Sequence, residues 1–316
     1  PPRILSSAAS DVYKRQVRSN RIPNLISPSI PGSIMAVRSV GVVGSGQMGN
    51  GIAQVAACSG KEVIMVDIKE EFLERGVSTI SNSLHKLASK GRITDEQATS
   101  ALSRISTSVS MDALSECDLI VEAIPEIPEL KFSTFSQLDS ICKPAAILAS
   151  NTSSISINEI ASHTSRADRV IGMHFMNPVP IMKLVEVING EETSEEVTSE
   201  VISASEEMGK TALSCMDSPG FVSNRILMPM INEAILTLQE GVAEPDAIDG
   251  IMKLGMNHPI GPLALADLIG LDTVMHILNV LEEGMEDDKY APADLLVEKV
   301  SKGELGRKSG SGFYHY

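Results

Sequence analysis

Between an apolar run at residues 39–43 and a helical pattern at residues 47–59 stands Gly44-Ser45-Gly46-Gln47-Met48-Gly49. No other stretch of this chain restricts its fold as tightly. The six residues match G-x-G-x-x-G, with a buried strand before them and a helix after them. Each glycine then answers a steric demand. The first permits a tight turn, the second lets a pyrophosphate approach the backbone, and the third lets helix and strand pack closely. The helix N-terminus adds free N–H groups and a partial positive charge, which suit phosphate. A second apolar run at residues 63–66 ends at Asp67, 21 residues after Gly46. A carboxylate there accepts hydrogen bonds from the ribose hydroxyls and repels a 2′-phosphate, so the pattern expects NAD rather than NADP. Gly44, Gly46, Gln47, Met48, Gly49 and Asp67 are the expected cofactor contacts.

Further apolar runs follow at residues 118–124, 145–149 and 170–173, with helical segments between most of them. Strands of a parallel sheet are buried on both faces and read as continuous apolar runs of this kind. The alternation predicts an α/β fold, a Rossmann-type doubly wound sheet. One interruption is longer than a crossover needs. Residues 70–102 are helical in pattern, break at Lys90-Gly91, and restart at a capping box, Thr94-x-x-Gln97. This inserted helical pair is expected to project from the sheet and to contribute to a second ligand site. A last short strand at residues 211–215 leads to Ser218-Pro219-Gly220, and beyond it the pattern is helical only, with proline at several helix starts. We therefore divide the chain into an NAD-binding Rossmann domain (37–216) and an all-α C-terminal domain for substrate and dimerisation (217–316).

Residues 1–36 differ in kind. They carry one acid, Asp11, against Arg3, Lys14, Arg15, Arg18 and Arg21, with many Ser and Pro. The prolines spoil the amphipathic helix of a transit peptide. The expectation is an unstructured or non-native extension, with Met35 as the native start. For the whole chain the net charge is −15, which argues against a nucleic-acid partner because phosphate backbones need a basic footprint. The sequence holds no run of 18 apolar residues, so no membrane span is expected, and a soluble protein of the cytoplasm or of a mitochondrial or peroxisomal matrix fits. Cys58, Cys117, Cys142 and Cys215 lack C-x-x-C spacing, so neither a metal site nor a disulfide framework is expected.

Of six histidines, His85, His163, His258, His276 and His315 sit in helices, loops or the C-terminus. His174 ends a strand, where doubly wound sheets place their ligands. The turn residues Asn177-Pro178 follow, then a strand, Leu184-Val185-Glu186-Val187. A carboxylate inside an apolar strand is costly to bury without a partner, and the nearby imidazole is the natural one. A satisfied structural histidine beside a surface glutamate is the competing reading. Oxidation of a secondary alcohol needs a base for the hydroxyl proton as hydride leaves the carbon, and imidazole suits this at neutral pH. A carboxylate on its other nitrogen fixes the tautomer and stabilises the imidazolium.

Separate motifs now agree. They are Val43-Gly44-x-Gly46-x-Met48-Gly49-x-Gly51-Ile52-Ala53, Ala149-Ser150-Asn151-Thr152-Ser153-Ser154 and His174-Phe175-Met176-Asn177-Pro178. Pro219-Gly220-Phe221-Val222-x-Asn224-Arg225, Asn257-His258-Pro259-x-Gly261-Pro262 and Gly306-Arg307-Lys308-Ser309-Gly310-x-Gly312-Phe313-Tyr314 continue the series. With them the chain resembles the 3-hydroxyacyl-CoA dehydrogenases, most closely the single-function 3-hydroxybutyryl-CoA type, from about Val40 to Tyr316.

The resemblance implies His174 as catalytic base and Glu186 as its orienting partner. It implies that Ser153 and Asn224 hold the substrate's 3-oxygen, with Ser153 also beside the cofactor. Asn177, Glu126 and Lys131 resemble positions near NAD, and Ser83 and Lys90 positions that contact CoA. Few lysines (Lys86, Lys90) mark the CoA-facing helices, so capture of the CoA phosphates there is weak or supplied elsewhere. The resemblance further implies an acyl-CoA substrate, a role in β-oxidation, and a homodimer through the helical domain, consistent with apolar faces at residues 221–238 and 263–280. Two rivals share the scaffold: a dehydrogenase of another small hydroxy acid or sugar acid, and a non-catalytic or NAD-sensing relative.

Overall fold

The computed structural model describes residues 37–316. The expectation for residues 1–36, Met35 included, lies outside the described residues. Eight strands form one sheet: β1 (Ser39–Val43), β2 (Glu62–Val66), β3 (Ile105–Ser108), β4 (Leu119–Glu122), β5 (Ile147–Ser150), β6 (Val170–Phe175), β7 (Leu184–Asn189) and β8 (Thr211–Met216). Their order is β3-β2-β1-β4-β5-β6-β7-β8. Strands β1 to β6 run parallel, β7 is antiparallel to β6, and β8 is parallel to β7. The chain leaves β1 toward one edge and returns beside it as β4. That reversal opens a crevice at the carboxyl ends of β1 and β4, where such sheets bind ligands.

The central strands are apolar along most of their length because helices cover both faces. Val40, Val42, Leu119, Val121, Ile147, Ile171 and Met173 enter one core with α1 (Gln47–Cys58), α2 (Glu70–Ser89), α3 (Asp95–Ser103) and α6 (Glu195–Glu207). Their neighbours Val43, Ile120, Leu148 and Val170 enter the other, with α4 (Pro128–Ile141) and α5 (Ile157–Ser162). This is the two-residue alternation of a strand, expressed on two buried faces. Strand β3 escapes a reading by apolar runs because it is the polar edge Ile105-Ser106-Thr107-Ser108.

The inserted pair carries the expected capping box: Gln97 N donates to Thr94 Oγ1 at 3.1 Å and Thr94 N to Gln97 Oε1 at 2.9 Å. Its placement differs from the expected projection. Leu73, Ile80 and Leu84 of α2 and Ala98 and Ala101 of α3 belong to the core shared with α1. A stripe at helical spacing therefore holds the pair against the sheet, and its exposed end is the turn at residues 90–92.

After β8 come only helices: α7 (Ser223–Gln239), α8 (Pro245–Gly255), α9 (Pro262–Ile269), α10 (Leu271–Met285) and α11 (Asp294–Ser301). Met228, Ile231 and Ile235 of α7 pack with Leu263 of α9 and Val274, Ile277, Leu278 and Leu281 of α10. Two buried carboxylates fasten the C-terminal tail to this core. Asp267 accepts from Phe313 N and Tyr314 N, both at 2.9 Å, and Asp249 accepts from the Tyr314 hydroxyl at 2.9 Å. All four cysteines are free, and no described helix is long and apolar enough to cross a membrane.

Candidate active site

The glycine turn closes as its sequence requires. Gly44 has φ +98°, and a Cβ there would lie 2.6 Å from the Ala123 carbonyl oxygen. A Cβ on Gly49 would lie 1.8 Å from the Gly44 carbonyl oxygen, whereas one on Gly46 would meet open space. The first and third glycines thus serve packing, and the second leaves room at the amino end of α1. That room belongs to a cavity of about 1340 Å³ lined by Gly44, Gly46, Gln47, Met48, Asp67 and Ile124 among others. Asp67 stands at its wall, and its Oδ2 accepts from Ser45 N and Ser45 Oγ, each at 2.7 Å. An extended dinucleotide fits this cradle: backbone N–H groups at one end, a carboxylate after β2, and apolar walls between. Gly49→Ala forces backbone into backbone, so we expect loss of NADH binding by fluorescence titration and a lower melting temperature. An unchanged affinity would show that the turn does not form the binding site.

Opposite residues of an antiparallel strand pair build the second part of the site. His174 on β6 faces Glu186 on β7 in register. His174 Nδ1 lies 2.8 Å from Glu186 Oε2, with His174 7% and Glu186 4% exposed. An ionised carboxylate only accepts, so Nδ1 carries the proton and Nε2 presents its lone pair. Nε2 in turn lies 3.2 Å from Ser153 Oγ in the loop after β5. Asn224, in the first turn of α7, donates through Nδ2 to the Ser153 carbonyl at 3.1 Å. Four residues from four separate segments thereby converge.

Burial alone would push the Glu186 carboxyl up. Hydrogen bonds from His174 and Ser223 outweigh it and hold the group below the usual carboxylate range. Ser223 was not among the residues expected from sequence, yet it donates twice: its N–H to Oε1 at 2.9 Å and its hydroxyl to Oε2 at 2.6 Å. It occupies the unspecified position of Pro219-Gly220-Phe221-Val222-x-Asn224, which gave no signal of its own.

A second carboxylate cluster supports Ser153. Glu126 Oε1 accepts from Ser153 N at 2.9 Å, Ser154 N at 3.1 Å and Ser154 Oγ at 3.0 Å. Lys131, expected near the cofactor, is buried beside this cluster. Its side chain is 1% exposed, and its ammonium lies 2.6 Å from Glu122 Oε1 and 3.2 Å from Glu126 Oε2. Lys131, like Glu126, does not line the dinucleotide cavity. Glu122, fully buried, was missed although the signal that exposed Glu186 was present: an acid within an apolar run, here Leu119-Ile120-Val121-Glu122 followed by Ala123-Ile124.

The remaining expected residues lie outside this cluster. Asn177 Oδ1 accepts from Gln47 Nε2 at 3.0 Å, which ties the loop after β6 to the glycine turn. Ser83 is half-buried on α2 and Lys90 exposed at its end, and neither lines the dinucleotide cavity. Among the described residues no group of three metal-ligating side chains occurs.

Glycine cradle, switch-point crevice and imidazole–carboxylate pair are the equipment that a nucleotide-dependent oxidoreductase requires. Comparison with known proteins narrows this. Residues 39–218 match the NAD binding domain of 3-hydroxyacyl-CoA dehydrogenase, and residues 220–316 match the C-terminal domain of the same family. A probable 3-hydroxybutyryl-CoA dehydrogenase of Deinococcus radiodurans is 59% identical over 276 residues, covering 87% of this chain and 99% of that protein. The mitochondrial hydroxyacyl-coenzyme A dehydrogenase of Homo sapiens is 42% identical over 287 residues, 89% of this chain and 91% of that one. Among solved structures, (S)-3-hydroxybutyryl-CoA dehydrogenase from Ralstonia eutropha superposes with a TM-score of 0.87 at 52% identity, covering 89% of this chain and 99% of that chain. This chain belongs to the 3-hydroxyacyl-CoA dehydrogenase family, and its cofactor is NAD.

Proposed function

We propose that the chain interconverts (S)-3-hydroxyacyl-CoA and 3-oxoacyl-CoA, with 3-hydroxybutyryl-CoA as its substrate. The observation that carries this reading is the His174–Glu186 pair, whose free Nε2 faces Ser153 at the carboxyl end of the sheet. NAD, when bound, supplies the acceptor for the hydride leaving C3 of the alcohol. His174 Nε2 takes the hydroxyl proton, and Glu186 stabilises the imidazolium that results. Ser153 and Asn224 orient the 3-oxygen. Asn177, beside Gln47, is proposed at the nicotinamide end of the cradle, and Glu126 and Lys131 are proposed neighbours of NAD beside the Ser153 loop. Ser83 and Lys90 on α2 are proposed contacts of the CoA moiety.

The decisive assay is spectrophotometric, with NADH and acetoacetyl-CoA. Oxidation of NADH supports the reading; turnover of a free hydroxy acid with no reduction of acetoacetyl-CoA would replace it. Within the mechanism, Glu186→Gln is expected to lower kcat by at least about tenfold while NADH binding persists. Undiminished turnover would remove Glu186 from the chemistry.

We further propose that residues 217–316 form the substrate and dimerisation domain and that the chain is a homodimer. The apolar faces of α7 and α10 expected at the interface are largely consumed inside the protomer. Ile226, Ile251, Leu254 and Leu268 remain exposed on the helices and are the side chains offered to a second copy. Sedimentation at micromolar concentration tests this: a monomer would refute it.

A further inference from the structure

The first turn of α7 holds the imidazole–carboxylate pair from both ends. Asn224 binds the backbone of Ser153, the residue against His174 Nε2, while its neighbour Ser223 binds the carboxylate behind His174 Nδ1. The hydroxyl of Ser223 donates to Oε2, the same oxygen that accepts the imidazole N–H, and at 2.6 Å it is the shorter of the two contacts. The Ser223 backbone N–H occupies Oε1 at 2.9 Å. It is one of the free N–H groups at the start of α7, whose partial positive charge also favours the ionised acid.

We infer that Ser223 is a positioning residue which, through Glu186, sets the pH at which His174 becomes free to accept a proton. The inference rests on the dehydrogenase reading of the same pair. A donor on Oε2 draws negative charge away from the imidazole. Without it, the carboxylate stabilises the imidazolium more strongly, so the neutral base required for alcohol oxidation appears only at higher pH. With the backbone donor still on Oε1, the expected displacement of the pH profile is about 0.5–1 unit.

Few other groups compete for this role. From β6 the titratable neighbour is His174 itself. From β8, the Cys215 thiol is pushed up to about 11, first by burial and then by the charges of Glu186 and Asp217, so it stays neutral through the working range. From the Ser153 side, Glu126 is already saturated by Lys131 and the donors of residues 152–154. The Phe221 ring, 5.9 Å from the imidazole centroid, carries no charge. The Ser223 hydroxyl is the adjustable donor on the acid.

The test compares Ser223→Thr with Ser223→Val, which match in shape and differ in the hydroxyl; Ser223→Ala serves as a third variant. For each, kcat/KM for 3-hydroxybutyryl-CoA oxidation is measured from pH 5 to 9 (roughly the range in which imidazole titrates) at saturating NAD, with melting temperatures as the fold control. The acid limb is expected to move up by about 0.5–1 unit in the valine and alanine variants and to stay in place in the threonine variant. Superimposable profiles for all would overturn the inference. An equal shift in Thr and Val would also overturn it, because shape rather than the hydroxyl would then be responsible. Wild-type turnover in the same assay tests the dehydrogenase reading separately.

Discussion

Replacing His174 by glutamine is expected to lower kcat by about 10²- to 10⁴-fold, with NADH still bound. The glutamine amide lies where Nε2 stood rather than where Nδ1 met Glu186, so the variant removes the base together with the donor to the carboxylate. It offers no basic nitrogen. At the position facing Ser153, 3.2 Å from its hydroxyl, there is then nothing to take the proton. The cradle at Gly44–Gly49 belongs to other segments and is untouched, so titration with NADH should give nearly the wild-type affinity. Both directions of the reaction must fall together, since one group donates and accepts the same proton. A variant retaining more than about a tenth of kcat would show that the proton leaves by another route.

Lys131→Met is expected to destabilise the fold by about 3–5 kcal/mol, the range for removing one partner of a buried pair. Glu122 and Lys131 are 0% and 1% exposed, and among the described residues the ammonium is the only cation bonded to Glu122. Its remaining donors are Ser150 Oγ at 2.7 Å and Ile124 N at 2.8 Å, too few to hold a carboxylate that water cannot reach. The melting temperature should fall by roughly 10 °C. Adding Glu122→Gln should restore about half or more of the loss, since a neutral amide no longer needs the cation. Failure of the double variant to recover would mean that the lysine acts by packing alone.

The same variant carries a pH signature. Burial alone would raise the Glu126 carboxyl, but the Lys131 charge and the donors Thr152 and Ser153 hold it below the usual range. A carboxyl kept low in the fold binds fewer protons than in the unfolded chain. Its contribution is therefore complete above the ordinary glutamate range and is lost as pH falls through the folded value. Without Lys131 the group rises, so acid unfolding should begin at higher pH than in the wild type. An unchanged acid midpoint would separate Glu126 from the acid transition.

How much of this was legible in the chain depends on the range of the interaction involved. The glycine turn, its strand and its helix are set within residues 39–59, where local sterics admit few alternatives, and they appear as read. His174 and Glu186 are twelve positions apart on adjacent strands. A polar residue in each of two apolar runs joined by a turn was enough to pair them. Glu122 gave the same signal, an acid within an apolar run, but its partner lies on a helix and no short turn pointed to it. Strand β3 was silent because an edge strand exposed to water needs no apolar run.

The resemblance supplied roles for Ser153, Asn224, Asn177, Ser83 and Lys90 that spacing alone could not. It also put Lys131 near the cofactor, and the structure adds that its ammonium is held by two carboxylates. Ser223 stayed hidden because it lies 37 positions from the acid it binds. By itself the sequence determined the doubly wound sheet, the dinucleotide turn and the imidazole–carboxylate pair, since each is encoded by periodicity or sterics over short stretches. Only the tertiary structure decided which donors surround Glu186 and where the charge of Lys131 goes. Those contacts arise from how distant segments dock, and a hydrogen bond between such segments leaves no periodic trace in either of them.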